Sequence, residues 1–157
     1  MQRAAAGDLA EDASDDALRA LLAEAGPGDY VALLGFMAPS AQIDEAVAEL
    51  RGVIRDATKA TTTFGYGPRY LHSTGQLHKG GPPVGRFLVL VHDADEDVEI
   101  PGQPYSFRVL KNAQAFGDLE TLRSRGRAAE KLRLEGGDAA AVVRDLTARV
   151  SALLRAR

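Results

Sequence analysis

Apolar residues recur along this chain in two patterns, one helical and one strand-like. Apolar positions at steps of three and four beside a polar face predict four helices, and short apolar runs between turn residues predict four strands. The helices are predicted after Ser14, from Pro39-Ser40, after Ser106 and after Asp138, and the strands over about 29–36, 60–65, 86–91 and 127–134. Because strands alternate with helices, we expect an α/β fold: a three-layer αβα sandwich with a mainly parallel sheet.

Capping and breaking residues define the ends of the predicted helices. Ser14 is a suitable N-cap for a helix that Gly26-Pro27-Gly28 ends. Ser106 can cap a long helix to about Arg123, and Asp138 can cap the last one. The predicted buried stripe of that last helix consists of Ala141, Val142, Leu146, Val150 and Leu154.

Composition and length set the domain organisation and narrow the class of partner. The chain has 157 residues, the size of one ordinary domain. Residues 1–13 have no sustained apolar period, so we predict a flexible leader followed by a single domain over 14–157. A net charge of −3 with both signs spread along the chain argues against nucleic acid as a partner. The sequence has no cysteine, no signal-like start and no run of membrane-spanning length, which predicts a cytoplasmic protein without a membrane partner.

The densest group of chemically active side chains lies in residues 65–83, GYGPRYLHSTGQLHKGGPP, between glycine and proline brackets. If residues 70–79 are helical, His72, Gln76 and Lys79 fall on one stripe at i, i+4 and i+7. An imidazole, an amide and an ammonium facing one way suit a polyhydroxy, anionic ligand. His78 shares its side with Leu71, so packing or a local hydrogen bond is expected for it. A polar surface helix between two turns is an equally good interpretation of this spacing.

Two further polar segments have simpler explanations. Lys111, Gln114 and Asp118 form a polar stripe beside an apolar stripe of Phe107, Leu110 and Ala113, and a solvated helix face accounts for that pattern. The acidic loop over 92–97 lacks the ligand spacing of a calcium loop, so a solvated loop is expected. His72 and His78 are not at the i, i+4 spacing of paired helical metal ligands, and we predict no metal.

Two runs of sequence carry a family resemblance. They are TTTFGYGPRYLHSTGQLHKGGPPVGRFLVL and IPGQPYSFRVLKNAQAFGDLETLRSRGR. The chain from about Asp15 onward resembles the C-terminal end of phosphoglucose isomerase, as found in bacterial transaldolase/phosphoglucose isomerase fusion proteins. The resemblance implies a sugar-isomerase (SIS) domain, and the interconversion of glucose 6-phosphate and fructose 6-phosphate without a metal or organic cofactor.

The resemblance also implies roles for particular residues. His72 matches the histidine that helps to open the sugar ring, although the chain is one residue shorter between its two histidines, which leaves His78 as the other choice. Lys111 matches the late helical lysine that assists it. The implied substrate-binding residues of the same block are Ser73, Thr74, Gln76 and Lys79.

The family's catalytic unit has two SIS subdomains, and the resemblance covers only the second. The glutamate base belongs to the first, and we assign none of Glu45, Glu49 and Glu99 to that role. The expected partners are a sugar phosphate and either further copies of the chain or an upstream isomerase or transaldolase half. A non-catalytic sugar-phosphate-binding module and an assembly subunit that completes a partner's site are the alternatives.

Overall fold

The computed structural model describes residues 10–156, which form one α/β unit around a four-stranded sheet. The elements in chain order are α1 (Asp15–Ala23), β1 (Tyr30–Phe36), α2 (Ala41–Thr58), β2 (Thr61–Tyr66), a 3₁₀ helix (Arg69–His72), α3 (Gly75–Gly80), β3 (Gly85–His92), α4 (Phe107–Ser124), β4 (Ala128–Leu134) and α5 (Ala139–Arg155). All four predicted strands and all four predicted long helices are present. In residues 10–156, no helix is long and apolar enough to cross a membrane.

The sheet is wholly parallel and has the order β2-β1-β3-β4. Leu33 of β1 lies opposite Phe64 of β2 on one side and Leu88 of β3 on the other. The chain therefore moves outward from β1 to β2, returns across β1 to β3, and continues outward to β4. The predicted α/β class with a parallel sheet between helices is confirmed.

Alternating side chains of the strands face two separate cores. Val31 and Leu33 of β1 belong to the core beneath α1, α2 and α5, whereas Ala32, Leu34 and Phe36 belong to the core beneath α4. This period of two is the geometry of a strand that is buried on both faces. The result is three layers: three helices, the sheet, and a second helical layer of α4 with the short helices.

Side-chain caps begin the long helices, as predicted from the sequence. The cap oxygens accept hydrogen bonds from backbone N–H groups in the first turn: Ser14 from Ala17 (3.1 Å), Ser40 from Ile43 (3.2 Å), Ser106 from Val109 (3.3 Å) and Asp138 from Ala140 (3.0 Å). The predicted buried stripe of α5 is wrong at its start, because the helix turns Ala140 and Val143 inward while Ala141 is exposed. From Leu146 onward the prediction is confirmed at Leu146, Val150 and Leu154.

Two residues of the predicted leader are fixed on the sheet. The backbone N–H of Ala13 donates to the carbonyl of Lys131 (2.8 Å), and Asp12 pairs with the Lys131 ammonium (2.6 Å). Ala13 is also buried. These contacts correct the predicted boundary at residue 13, since Asp12 and Ala13 hold the outer edge of β4. Residues 1–9 of that leader lie outside the described residues.

Candidate functional site

A cavity of about 550 Å³ opens at the carboxyl edge of the sheet between β1 and β3. These two strands are neighbours whose onward connections leave in opposite directions, which is the switch point where ligands bind in open parallel sheets. The loop after β1, the end of β3 and the first two turns of α4 form its walls. Its lining residues are Met37, Ala38, Pro68, His92, Asp93, Ala94, Glu96, Asp97, Val98, Phe107, Arg108, Leu110, Lys111 and Gln114.

A second hollow of about 750 Å³ adjoins the first and extends toward the starts of α2 and α5. The two hollows share the lining residues Ala38, His92, Ala94 and Glu96. His92 is the last residue of β3 and therefore lies at the junction. We call the two hollows together the edge groove.

Lys111 is held in the first hollow by the end of β3. Its ammonium donates to the carbonyl oxygen of His92 and to the carboxylate of Asp93, the latter at 2.8 Å. An ammonium has three N–H donors, and the structure gives the third no partner among residues 10–156. Burial lowers the pKa of Lys111, and the Asp93 charge acts in the opposite direction. The residue matched to the family's lysine thus has one donor left for a ligand.

The Asp93 carboxylate binds three side chains from two elements, two of them cations and one an amide. Besides Lys111 it accepts from the Asn112 amide (3.2 Å) and forms an ion pair with Arg133 of β4. Burial raises the pKa of Asp93, but the hydrogen bonds and charges of Lys111, Asn112 and Arg133 outweigh burial and hold the pKa below its ordinary value. Asp93 therefore stays ionised and fixes the start of α4 against the sheet.

The rest of the acidic loop is partly anchored. Asp97 accepts from the Ser106 hydroxyl and, at 3.0 Å, from the backbone N–H of Arg108. Asp95 and Glu96 are exposed. The prediction of a solvated loop is therefore wrong at Asp93, which is partly buried and finds donors on α4 that the sequence does not reveal. Asp97 is exposed, as predicted, although it is also bonded to the start of α4. No cluster of potential metal ligands occurs in the described part of the chain.

Residues 70–79, which would carry the stripe if they formed one helix, belong to two short helices with a break at Ser73 and Thr74. The 3₁₀ helix ends at His72 and α3 begins at Gly75. The Ser73 hydroxyl donates to the carbonyl of Tyr70 (3.1 Å), a local bond that competes with continuation of the helix. The predicted single stripe of His72, Gln76 and Lys79 is therefore wrong.

The residues predicted from this segment lie away from the edge groove. His72, Ser73, Thr74 and Gln76 line neither hollow, and Ser73, Thr74 and Gln76 are exposed. Lys79 forms an ion pair with Asp118, which is buried on α4. Of the predicted site residues, the structure brings only Lys111 to the groove. The ligand-binding and catalytic roles assigned to the others stay predictions.

His78 has the packed environment that the sequence favoured for it. Its side chain is buried, and its Nδ1 hydrogen-bonds with the hydroxyl of Tyr30 at 3.1 Å. The rings of Tyr30 and Phe87 surround it, the latter with an edge contact at 5.1 Å between centroids. Burial lowers the pKa of His78. A neutral, enclosed imidazole of this kind contributes to packing.

Helix α4 packs a different face on the core from the one that the sequence predicted. Ala115, Leu119 and Leu122 form its buried stripe, whereas Phe107 is 54% exposed. Asp118, predicted on a solvated face, is buried, and burial raises its pKa to about 6. Because Asp118 has an ionic partner on α3, the helix can bury it and leave the apolar residues of its first turn at the groove.

Sequence reasoning missed His92, Asp93 and Arg133 as parts of the site. Their position in the sequence could have indicated His92 and Asp93, because they lie at the end of a buried strand and therefore at the carboxyl edge of the sheet. Arg133 gives no local signal, because it reaches Asp93 only through the pairing of β3 with β4.

Comparisons with known proteins support the fold and name no activity. No family model matches the chain, and no curated protein matches it. The chain is similar to the crystal structure of a hypothetical protein from Thermus thermophilus, with a TM-score of 0.59 and 22% sequence identity. That similarity covers 80% of this chain and 34% of the other, so the chain spans about a third of the length of the solved structure it matches. The match shows a shared fold alone.

Proposed function

We propose that this chain carries one wall of a sugar-phosphate site of the glucose-6-phosphate isomerase kind, located in the edge groove. The observation that carries the proposal is the Lys111 ammonium, which lies at the strand switch point with one N–H donor uncommitted within the described region. The sequence resemblance to phosphoglucose isomerase independently selects the same residue. An ammonium is a suitable partner for a phosphate or a sugar oxygen.

The groove has the size and mixed chemistry of a small-molecule site. A cavity of about 550 Å³ is within the usual range for ligand sites. The amide of Gln114 lies one turn beyond Lys111 and can both donate and accept. Apolar contact is available from Met37 and Leu110. A sugar phosphate needs this combination of one cation, several hydrogen-bonding groups and some apolar surface.

If the proposal is correct, the chain alone isomerises the sugar phosphate slowly or not at all. The isomerase reaction needs a carboxylate base, and the resemblance places that base in an upstream half. Loss of a general base costs about 10²–10⁴-fold in rate. Glu96 is the carboxylate at the junction of the two hollows, and it is exposed and makes no hydrogen bond within the described residues. Nothing holds it in one position for proton transfer.

Isothermal titration calorimetry with fructose 6-phosphate tests the proposal. We expect saturable binding at millimolar ligand, weakened roughly 10–100-fold in Lys111→Gln, because a charged hydrogen bond contributes about 1.5–3 kcal/mol. Lys79→Gln is the matched control, since Lys79 is committed to Asp118. Absence of binding by the wild-type chain, or equal weakening by both variants, would overturn the proposal.

A non-catalytic binding or assembly module is the second candidate, and the rim of the groove favours it. Val98 and Phe107 line the first hollow and are 60% and 54% exposed, and Val109 beside them is also exposed. A coupled isomerase assay separates the candidates. If the chain binds fructose 6-phosphate but remains inactive when an upstream isomerase half is supplied, the candidate function as a non-catalytic module is correct. Restored turnover supports the candidate function as part of an isomerase.

A further inference from the structure

We infer that His92 contacts the ligand, with its Nδ1 as a hydrogen-bond acceptor for a ligand hydroxyl. His92 lines both hollows of the edge groove. His72 lines neither hollow. The inference rests on the proposed function for the identity of the ligand, a hydroxyl-bearing sugar phosphate.

One hydrogen bond fixes which ring nitrogen faces the ligand. His92 Nε2 lies 2.6 Å from the carbonyl oxygen of Gly136, in the loop between β4 and α5. A carbonyl oxygen only accepts, so Nε2 carries the hydrogen. In the neutral imidazole Nδ1 is then an acceptor with a free lone pair, because a backbone carbonyl on one ring nitrogen sets the tautomer of the other.

That acceptor has no partner within residues 10–156. The structure gives His92 a side-chain hydrogen bond at Nε2 alone. The residue is 6% exposed, and it lines the groove on both sides of the junction. Nδ1 is not one of the fully buried side-chain atoms that lack a partner in the described residues, so it is accessible from the groove. A ligand hydroxyl in the groove would supply the missing donor.

Lys111 and His92 therefore offer complementary groups. The Lys111 ammonium donates to the carbonyl of His92 itself, so the two residues are joined at the floor of the groove. One presents an N–H donor and the other a lone pair. Sugar hydroxyls both donate and accept, whereas a simple anion such as sulfate only accepts. The pair thus distinguishes a polyol phosphate from a bare anion.

Nuclear magnetic resonance of the ¹⁵N-labelled chain at mildly alkaline pH tests the acceptor directly. Single substitutions of the three histidines assign the ring signals. For His92 we expect a protonated Nε2 and an unprotonated Nδ1 whose resonance moves on addition of fructose 6-phosphate but not of sulfate. A proton on Nδ1 of the free chain would overturn the inference, as would an Nδ1 resonance unmoved by bound sugar phosphate.

Calorimetry of His92→Gln adds an energetic test. The glutamine amide can keep a donor for Gly136, but while it does so its acceptor oxygen does not lie at the position of Nδ1. We therefore expect a folded chain that binds fructose 6-phosphate about 2–13-fold more weakly, the value of one neutral hydrogen bond. Glu135→Gln, an exposed residue beside Gly136 that lines neither hollow, is the control and should bind like wild type. If wild type and His92→Gln bind equally, the inference fails and the proposed function stands. If wild type does not bind, both fail. If His92→Gln does not fold, the resonance experiment on the wild-type chain decides.

Discussion

Replacing Asp93 by asparagine removes the charge that joins β3, α4 and β4, and its cost can be worked from the contacts. The variant keeps the shape of the side chain but leaves Lys111 and Arg133 beside a neutral group. Breaking a buried ion pair costs about 3–5 kcal/mol. The side chains of all three residues are 22–23% exposed, so water compensates part of that loss and we expect about 2 kcal/mol.

Urea unfolding followed by circular dichroism measures this cost. With a denaturant slope of about 2 kcal/mol per molar, Asp93→Asn should lower the midpoint by about 1 M. Asp95→Asn is the matched control on the same loop, because Asp95 is exposed and its side chain makes no hydrogen bond or ion pair in the described region. It should leave the midpoint unchanged. Equal midpoints for the two variants would refute the reasoning.

The pH dependence gives a second check on the same variant. The folded pKa of Asp93 lies below the ordinary value of 3.8. A carboxyl group of this kind stabilises the fold fully above its unfolded pKa, and the contribution is lost as pH falls through the lowered folded pKa. The difference in unfolding free energy between wild type and Asp93→Asn should therefore be constant from neutral pH to about pH 5 and shrink below about pH 4. A difference that grows as pH falls would contradict the assignment.

Three further predictions concern single sites. Gly52→Ala, in the interior of α2 with open space around the added methyl group, should raise the unfolding free energy by about 0.5–1 kcal/mol in urea titrations. Gly85→Ala places a Cβ 2.6 Å from the rings of Tyr30 and Phe87 and should lower it by about 1–3 kcal/mol; a neutral result would show that the rings move freely. Asp118 should titrate near pH 6 in carbon-detected NMR. Because that pKa is raised, the stability of wild type relative to Asp118→Asn should fall as pH rises from about 4 to about 6, and a midpoint at or below 3.8 would show that its lysine partner outweighs burial.

Local sequence signals predicted the fold well because they act over a few residues. Ser14, Ser106 and Asp138 cap helices where the pattern placed them, and the apolar run at 30–36 is a strand with both faces buried. Residues 70–79 do not form one helix, and at the break the Ser73 hydroxyl donates to the Tyr70 carbonyl, a local bond that competes with continuation of the helix. Periodicity alone does not detect that competition.

The site was only partly predictable because it depends on strand order. Lys111 was selected by resemblance, and the structure places it in the groove. His92 and Asp93 were interpreted as the start of a solvated loop, since nothing local indicates that β3 lies beside β1 at a switch point. Asp118 was placed on the wet side of α4 by its polarity, and only the ion pair with Lys79 explains why it is buried.

The contacts that hold Asp12 and Ala13 on β4 also bear on the order in which a growing chain can fold. Asp12 and Lys131 are 119 positions apart, and Asp15 and Arg149, which form an ion pair, are 134 apart. During synthesis β1, β2 and β3 can pair long before these partners exist. Until the last helix emerges, the apolar face of α2 that packs on α5 has no cover. A ribosome-bound chain that ends after β4 should therefore expose that face, and completion of α5 joins the two ends of the described chain in one step.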